Sequence, residues 1–183
     1  MAWTYLPRVA DGELADRLSS AGAVLIEGPK ACGKTATASR VARSIVRLDV
    51  DPGSRALVTA ASEVLFDQEP PILFDEWQIE PTLWDLVRRQ VDDRSPVKGQ
   101  FVLTGSSTPN DDARRHSGAG RISTLRMRPM SLYESGHSTG AVSLANLFTG
   151  GTPAALVKAH RAHAQRRDAS CPRVPSGVVV GGG

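Results

Sequence analysis

Gly28 and Gly33 stand five positions apart, and Lys34 and Thr35 follow the second glycine. The stretch Gly28-Pro29-Lys30-Ala31-Cys32-Gly33-Lys34-Thr35, running on into Ala36, fits G-x-x-x-x-G-K-[ST] without a departure. That spacing suits phosphate. Glycines let the backbone close without a Cβ in the way, so that successive N–H groups face an anion. The first turn of the following helix adds partial positive charge. In such a loop Lys34 reaches the β- and γ-phosphates of ATP. Thr35 offers its hydroxyl to Mg2+, an ion that keeps several waters and takes few protein ligands. Cys32 lies inside the loop and reads first as a small space-filling side chain. The sharper alternative is nucleotide binding that is sensitive to oxidants.

A second chemical cluster follows in "PPILFDEWQ", where Asp75 and Glu76 end an apolar run. A carboxylate at a strand tip beside a phosphate loop can hold Mg2+ through water, and Asp75 takes that role. Its neighbour Glu76 is placed to orient and deprotonate an attacking water. A third element, "FVLTGSS", ends in small polar residues. Thr104 or Ser106 is the candidate for touching the γ-phosphate or the water, and the residues do not decide between them. Trp77 reads as core packing.

These residues need strands to aim them. "DGELADRLSSAG" (11–22) predicts a short amphipathic helix, and "AVLIE" (23–27) a buried strand bounded by glycine. Lys34 to about Arg43 favours helix, and "SIVRLDVD" (44–51) a strand ending at an Asp51-Pro52-Gly53 turn. "ASEVLFDQ" (61–68) predicts helix, "PPILFDE" (70–76) strand, and "PTLWDLVRRQVDD" (81–93) a helix with Leu83, Leu86, Val87 and Val91 on one face. "GQFVLTGSS" (99–107) and "STLRMRP" (123–129) complete five strands. Strands alternating with helices predict an α/β fold with a mainly parallel sheet.

Composition narrows the class. The 183 residues are 40% hydrophobic and 22% charged, which fits a globular domain with its own core. No apolar run is long enough to span a bilayer, no signal peptide is legible, and Cys32 and Cys171 offer neither a disulfide framework nor zinc spacing, so a cytoplasmic protein is expected. The net charge of +3 misleads. Residues 1–153 carry 17 basic and 18 acidic side chains, a net −1, while residues 154–183 carry 5 and 1, a net +4. A near-neutral body is no evidence of an extended phosphate-binding surface, so a nucleic-acid partner is not expected. Arg114, Arg115 and His116 cluster, but Asp111 and Asp112 stand beside them and a solvated loop is the better reading. His137, His160 and His163 lack metal spacing. Residues 1–153 are read as the core, and 154–183 as a basic, disordered or truncated tail.

Taken together, "VLIEGPKACGKTATA", "ILFDEWQ", "FVLTGSS" and "HSGAGRISTLRMRPMSLYESG" resemble an AAA+ ATPase. More narrowly they resemble the bacterial and archaeal AAA-domain ATP-binding proteins, over about residues 5–150. The resemblance implies a P-loop three-layer sandwich with strand order 5-1-4-3-2. It implies Walker-A residues at Gly28, Gly33, Lys34 and Thr35, Walker-B residues at Asp75 and Glu76, and a sensor at the end of "FVLTGSS". Arg121, in the GR pair, becomes the candidate arginine finger or charge sensor, acting in cis or in trans. Arg126 and Arg128 alternate on a strand face and read as a surface or partner contact. A homo-oligomer is implied by the family and not by any visible patch. Relatives continue into a C-terminal domain, whereas this chain stops at "VVVGGG", which reads as a truncated or frameshifted gene product.

Three functions are compatible with these residues: a Mg2+-dependent ATP hydrolase that drives a conformational change, a nucleotide-dependent switch with little turnover, and an inactive fragment. Retention of Glu76 argues for the hydrolase.

Overall fold

A computed structural model of the chain describes residues 5–105, 120–140 and 148. The chain divides into two compact units, Met1–Glu134 and Ser135–Gly183. In the second, His137 Nδ1 lies 3.0 Å from Ser135 Oγ. The first carries the site. Ser106, Arg114, Arg115, His116, His160, His163, Cys171 and the whole of 154–183 lie outside the described residues.

The first unit runs α1 (Val9–Ser20), β1 (Ala23–Glu27), α2 (Lys34–Ser39), β2 (Ser44–Arg47), α3 (Pro52–Ala60), α4 (Ser62–Phe66), β3 (Ile72–Asp75), a 3-10 turn (Trp77–Ile79), α5 (Leu83–Asp93), β4 (Phe101–Gly105) and β5 (Ile122–Arg126). The five strands form one sheet in the order β2-β3-β4-β1-β5, and every pairing is parallel. This is the expected 5-1-4-3-2 order seen from the other edge. The fold is a P-loop-type α/β sandwich.

The central strands β1, β3 and β4 are buried at every position. A parallel sheet covered on both faces requires such continuous apolar strands. Alternation then sorts the side chains. Ala23, Leu25, Phe74, Phe101 and Leu103 join α3, α4 and α5 through Val58, Phe66, Trp84 and Val87. Val24, Ile26, Leu73 and Val102 face the other way, onto Leu14 of α1 and Ala38 of α2. Phe66 packs edge-on against Phe74 and Phe101 at 5.6 and 5.5 Å between ring centres. Burying one such side chain contributes about 1.5–3 kcal/mol. Trp77 is buried against Trp84, 5.3 Å away, and is core as expected.

Helix α3 is not expected from the sequence. Asp51-Pro52-Gly53 is a helix start, not a turn that closes the strand. The Asp51 side chain accepts from the Gly53 amide at 2.9 Å, and Pro52 occupies the first helical position. β2 therefore ends at Arg47, and α2 ends at Ser39 instead of Arg43. Among the described residues, no helix is long and apolar enough to cross a membrane.

Candidate phosphate-binding site

Parallel strands bring their C-terminal ends to one edge of the sheet, and the turns that follow them share that edge. β1 runs into the loop Gly28–Gly33, β3 ends at Asp75, and β4 ends at Gly105. β4 lies between the other two, with Thr104 opposite Ile26 on one side and Asp75 on the other. Strands are spaced about 4.8 Å apart, so Asp75 stands roughly 10 Å from the end of β1.

The loop has the backbone that its sequence implies. Ala31 and Gly33 adopt left-handed conformations at φ 63° and 99°. Gly33 leads directly into α2. Gly28 has no room for a side chain, because a Cβ there would fall 2.3 Å from the Met127 carbonyl oxygen. Lys34 is buried, and its ammonium donates to the carbonyls of Gly28 and Pro29 at 3.0 and 3.1 Å. Cys32 is buried, with Sγ 4.0 Å from the Met127 carbonyl oxygen. It fills space between the loop and the end of β5.

Thr35 crosses the interval: its hydroxyl donates to Asp75 Oδ1 at 2.8 Å. Thr104 donates to the same carboxylate oxygen and accepts from the Glu76 amide at 3.4 Å. Thr104 is fully buried, and its hydroxyl orients Asp75. Glu76 sits in a left-handed backbone conformation, φ 56° and ψ 47°. That turn sends the chain away from the strand line and into the Trp77–Ile79 turn. The Glu76 carboxylate accepts from the side-chain amide of Gln78. Gln78 Oε1 is buried and has no hydrogen-bond partner among the described residues. No motif marks Gln78, although it stands two positions beyond the acid it holds.

Arg121 is elsewhere. It immediately precedes β5, and its carbonyl accepts from the amide of Ala23, the first residue of β1. The length of β1 therefore separates it from the phosphate loop, roughly 16 Å at about 3.3 Å per residue. Its guanidinium is paired with Asp92 at 2.6 Å, and both side chains are exposed. Within one chain Arg121 does not join the site. β5 does contribute at its other end: the Met127 amide donates to the Glu27 carbonyl at 2.7 Å and brings the backbone of Met127 and Arg128 against the loop. The side chains of Arg126 and Arg128 are exposed.

A second missed residue is Arg8. It is 8% exposed and donates to the Cys32 carbonyl at 2.8 Å, to the Arg128 carbonyl at 2.9 Å and to Glu134 Oε1 at 3.0 Å. No motif marks it.

The donor set fits a magnesium nucleotide. Among the described residues, no group of three His, Cys, Asp or Glu could hold a metal by itself. One hydroxyl and one carboxylate beside a phosphate loop suit Mg2+, which shares its coordination with phosphates and water. A family model described as an AAA domain matches residues 20–136, more than half of the chain. No curated protein matches it.

Proposed function

This chain belongs to the AAA domain family, and from that premise we propose that it binds MgATP and hydrolyses it, using the released free energy to move a partner or a further domain. The observation that carries the proposal is the meeting of Thr35 and Asp75, at 2.8 Å, beside a loop with left-handed Ala31 and Gly33. The loop amides and Lys34 bind the phosphate chain. Thr35 and Asp75 hold the cation, with Thr104 fixing the Asp75 carboxylate. Magnesium, when bound, neutralises charge that builds on the transferring phosphoryl group. Glu76 takes a proton from water as the water oxygen bonds to the γ-phosphorus. The bond from that phosphorus to the bridging oxygen breaks, and ADP carries the electron pair away.

Thermal unfolding with and without MgATP tests binding, and phosphate release tests turnover. At a hundred times its dissociation constant, MgATP is expected to stabilise the protein by about 2.7 kcal/mol, a shift of several degrees. Lys34→Ala removes the shift. Glu76→Gln keeps the shift and loses phosphate release. Turnover equal to wild type in Glu76→Gln would remove Glu76 from the role of base.

The hydrogen bond from Gln78 to Glu76 favours a second reading, a nucleotide-dependent switch with slow turnover. In a switch, Gln78→Ala would raise phosphate release by freeing the carboxylate. In a hydrolase that needs the acid held, the same change lowers it.

A further inference from the structure

The Cys32–Gly33 peptide is held from behind. A trans peptide is planar, with its C=O and N–H pointing in opposite directions. The Cys32 carbonyl points to Arg8 Nη1, 2.8 Å away. The N–H of Gly33 therefore points away from Arg8, which in the nucleotide reading above is the side of the loop that receives phosphate. Gly33 also has Arg8 against its back, because a Cβ there would fall 3.0 Å from Nη1.

Arg8 is fixed in turn. Its Nη2 donates to the Arg128 carbonyl and its Nε to Glu134 Oε1. Glu134 uses both carboxylate oxygens. Oε1 also accepts from the Val9 amide at 2.8 Å, at the first residue of α1, and Oε2 accepts from the Ser131 amide and hydroxyl at 2.7 and 2.8 Å. The Ser131 amide bond is the main cause that lowers the Glu134 carboxyl to about 2, with Val9 and Arg8 acting in the same sense and burial against them. Tyr5, three residues before Arg8, lies with its hydroxyl 3.0 Å from Thr37 Oγ1 in α2, and the Arg40 guanidinium lies over its ring. The segment before α1 thus grips both the loop and the helix that leaves it.

From this geometry we infer that the Arg8–Glu134 pair is a positioning clasp for the phosphate loop, and that it sets phosphate affinity by fixing the Cys32–Gly33 peptide. The inference rests on the nucleotide reading above and assigns a function to two residues that touch no nucleotide. The pair is neutral overall, so its effect is one of geometry and not of added positive charge. Three N–H groups reach three acceptors in one fork, which lysine cannot reproduce.

The test measures binding of Mg2+–tripolyphosphate and of MgATP by calorimetry, below the melting temperature of each variant. Arg8→Met/Glu134→Gln removes both charges together, and Arg8→Lys keeps the charge and loses the fork. Arg8→Lys also keeps most of the side-chain volume and remains informative if the double variant does not fold. Each is expected to bind both ligands at least tenfold more weakly. A purely structural role would lower the melting temperature and leave affinity unchanged, so binding within twofold of wild type by either folded variant overturns the clasp alone. Failure of the wild type to bind MgATP, or wild-type binding that survives Lys34→Ala, overturns the nucleotide reading and the clasp with it.

Discussion

The sheet has an arginine ion pair at each end. Arg8–Glu134, at the phosphate-loop end, is 3.0 Å long with side chains 5% and 8% exposed. Arg121–Asp92, at the opposite end, is shorter at 2.6 Å, with side chains 39% and 48% exposed. Distance ranks these pairs in the wrong order. Exposed partners exchange easily with water and salt, so such a pair contributes between nothing and about 1 kcal/mol. A pair with side chains shielded from water is different: removing one partner leaves the hydrogen bonds it made without a replacement, at about 1 kcal/mol each. The comparison sets a buried arginine against the phosphate loop beside an exposed one at the far edge.

The largest expected effect follows directly. Arg8→Met removes the donors that reach the Cys32 and Arg128 carbonyls and Glu134 Oε1 and should cost about 3 kcal/mol, read as a shift in the urea midpoint at constant slope. A cost below about 1 kcal/mol would make the two pairs equivalent and break the contrast.

Glycines at the two ends sharpen it. Gly28→Ala would put a Cβ 2.3 Å from the Met127 carbonyl oxygen, a backbone atom that cannot swing aside. About 3 kcal/mol is expected, at the upper end for overpacking. Gly120, next to Arg121, also has a positive φ, 76°, but its Cβ would meet nothing within 4 Å. Only the left-handed backbone opposes Gly120→Ala, at about 1 kcal/mol. Equal losses in denaturant titrations would mean that the loop end is no more tightly built than the other.

Acid probes the clasp more gently. The Glu134 carboxyl is lowered from 4.5 to about 2, chiefly by the Ser131 amide. A folded-state value below the unfolded one gives stability that is fully present above pH 4.5 and is lost as pH falls toward 2. The stability difference between wild type and Glu134→Gln should therefore shrink through that window. A difference that stays constant from pH 5 to pH 2 would show that the carboxylate is not held as its hydrogen bonds indicate.

The same contrast explains what the sequence could and could not reveal. The phosphate loop is contiguous, and Gly28, Gly33, Lys34 and Thr35 announce themselves by spacing. Asp75 and Glu76 are legible because an apolar strand ends at them. Thr104 could be placed at a strand tip, but not its hydroxyl, since only the register opposite Asp75 commits it to that carboxylate. Arg8 and Glu134 lie 126 residues apart, and no periodicity links them. Arg121 stood out for the GR pair before a strand, a local feature that does not say which end of the strand faces the loop. The Pro52–Ala60 helix was hidden because Asp-Pro-Gly signals a turn and a helix start equally well.

The smallest expected effect concerns Arg121. Arg121→Ala removes an exposed pair and should change stability by less than about 1 kcal/mol, a difference that shrinks further in high salt. Phosphate release at low protein concentration should match wild type, because the residue lies a full strand length from the loop of its own chain. A second copy could bring Arg121 to a phosphate. A loss of release that emerges only as protein concentration rises would place it in a neighbour's site and give the far end of the sheet a part in the chemistry. Equal release at every concentration would leave Arg121 as a solvated partner of Asp92, and the contrast between the two ends would stand.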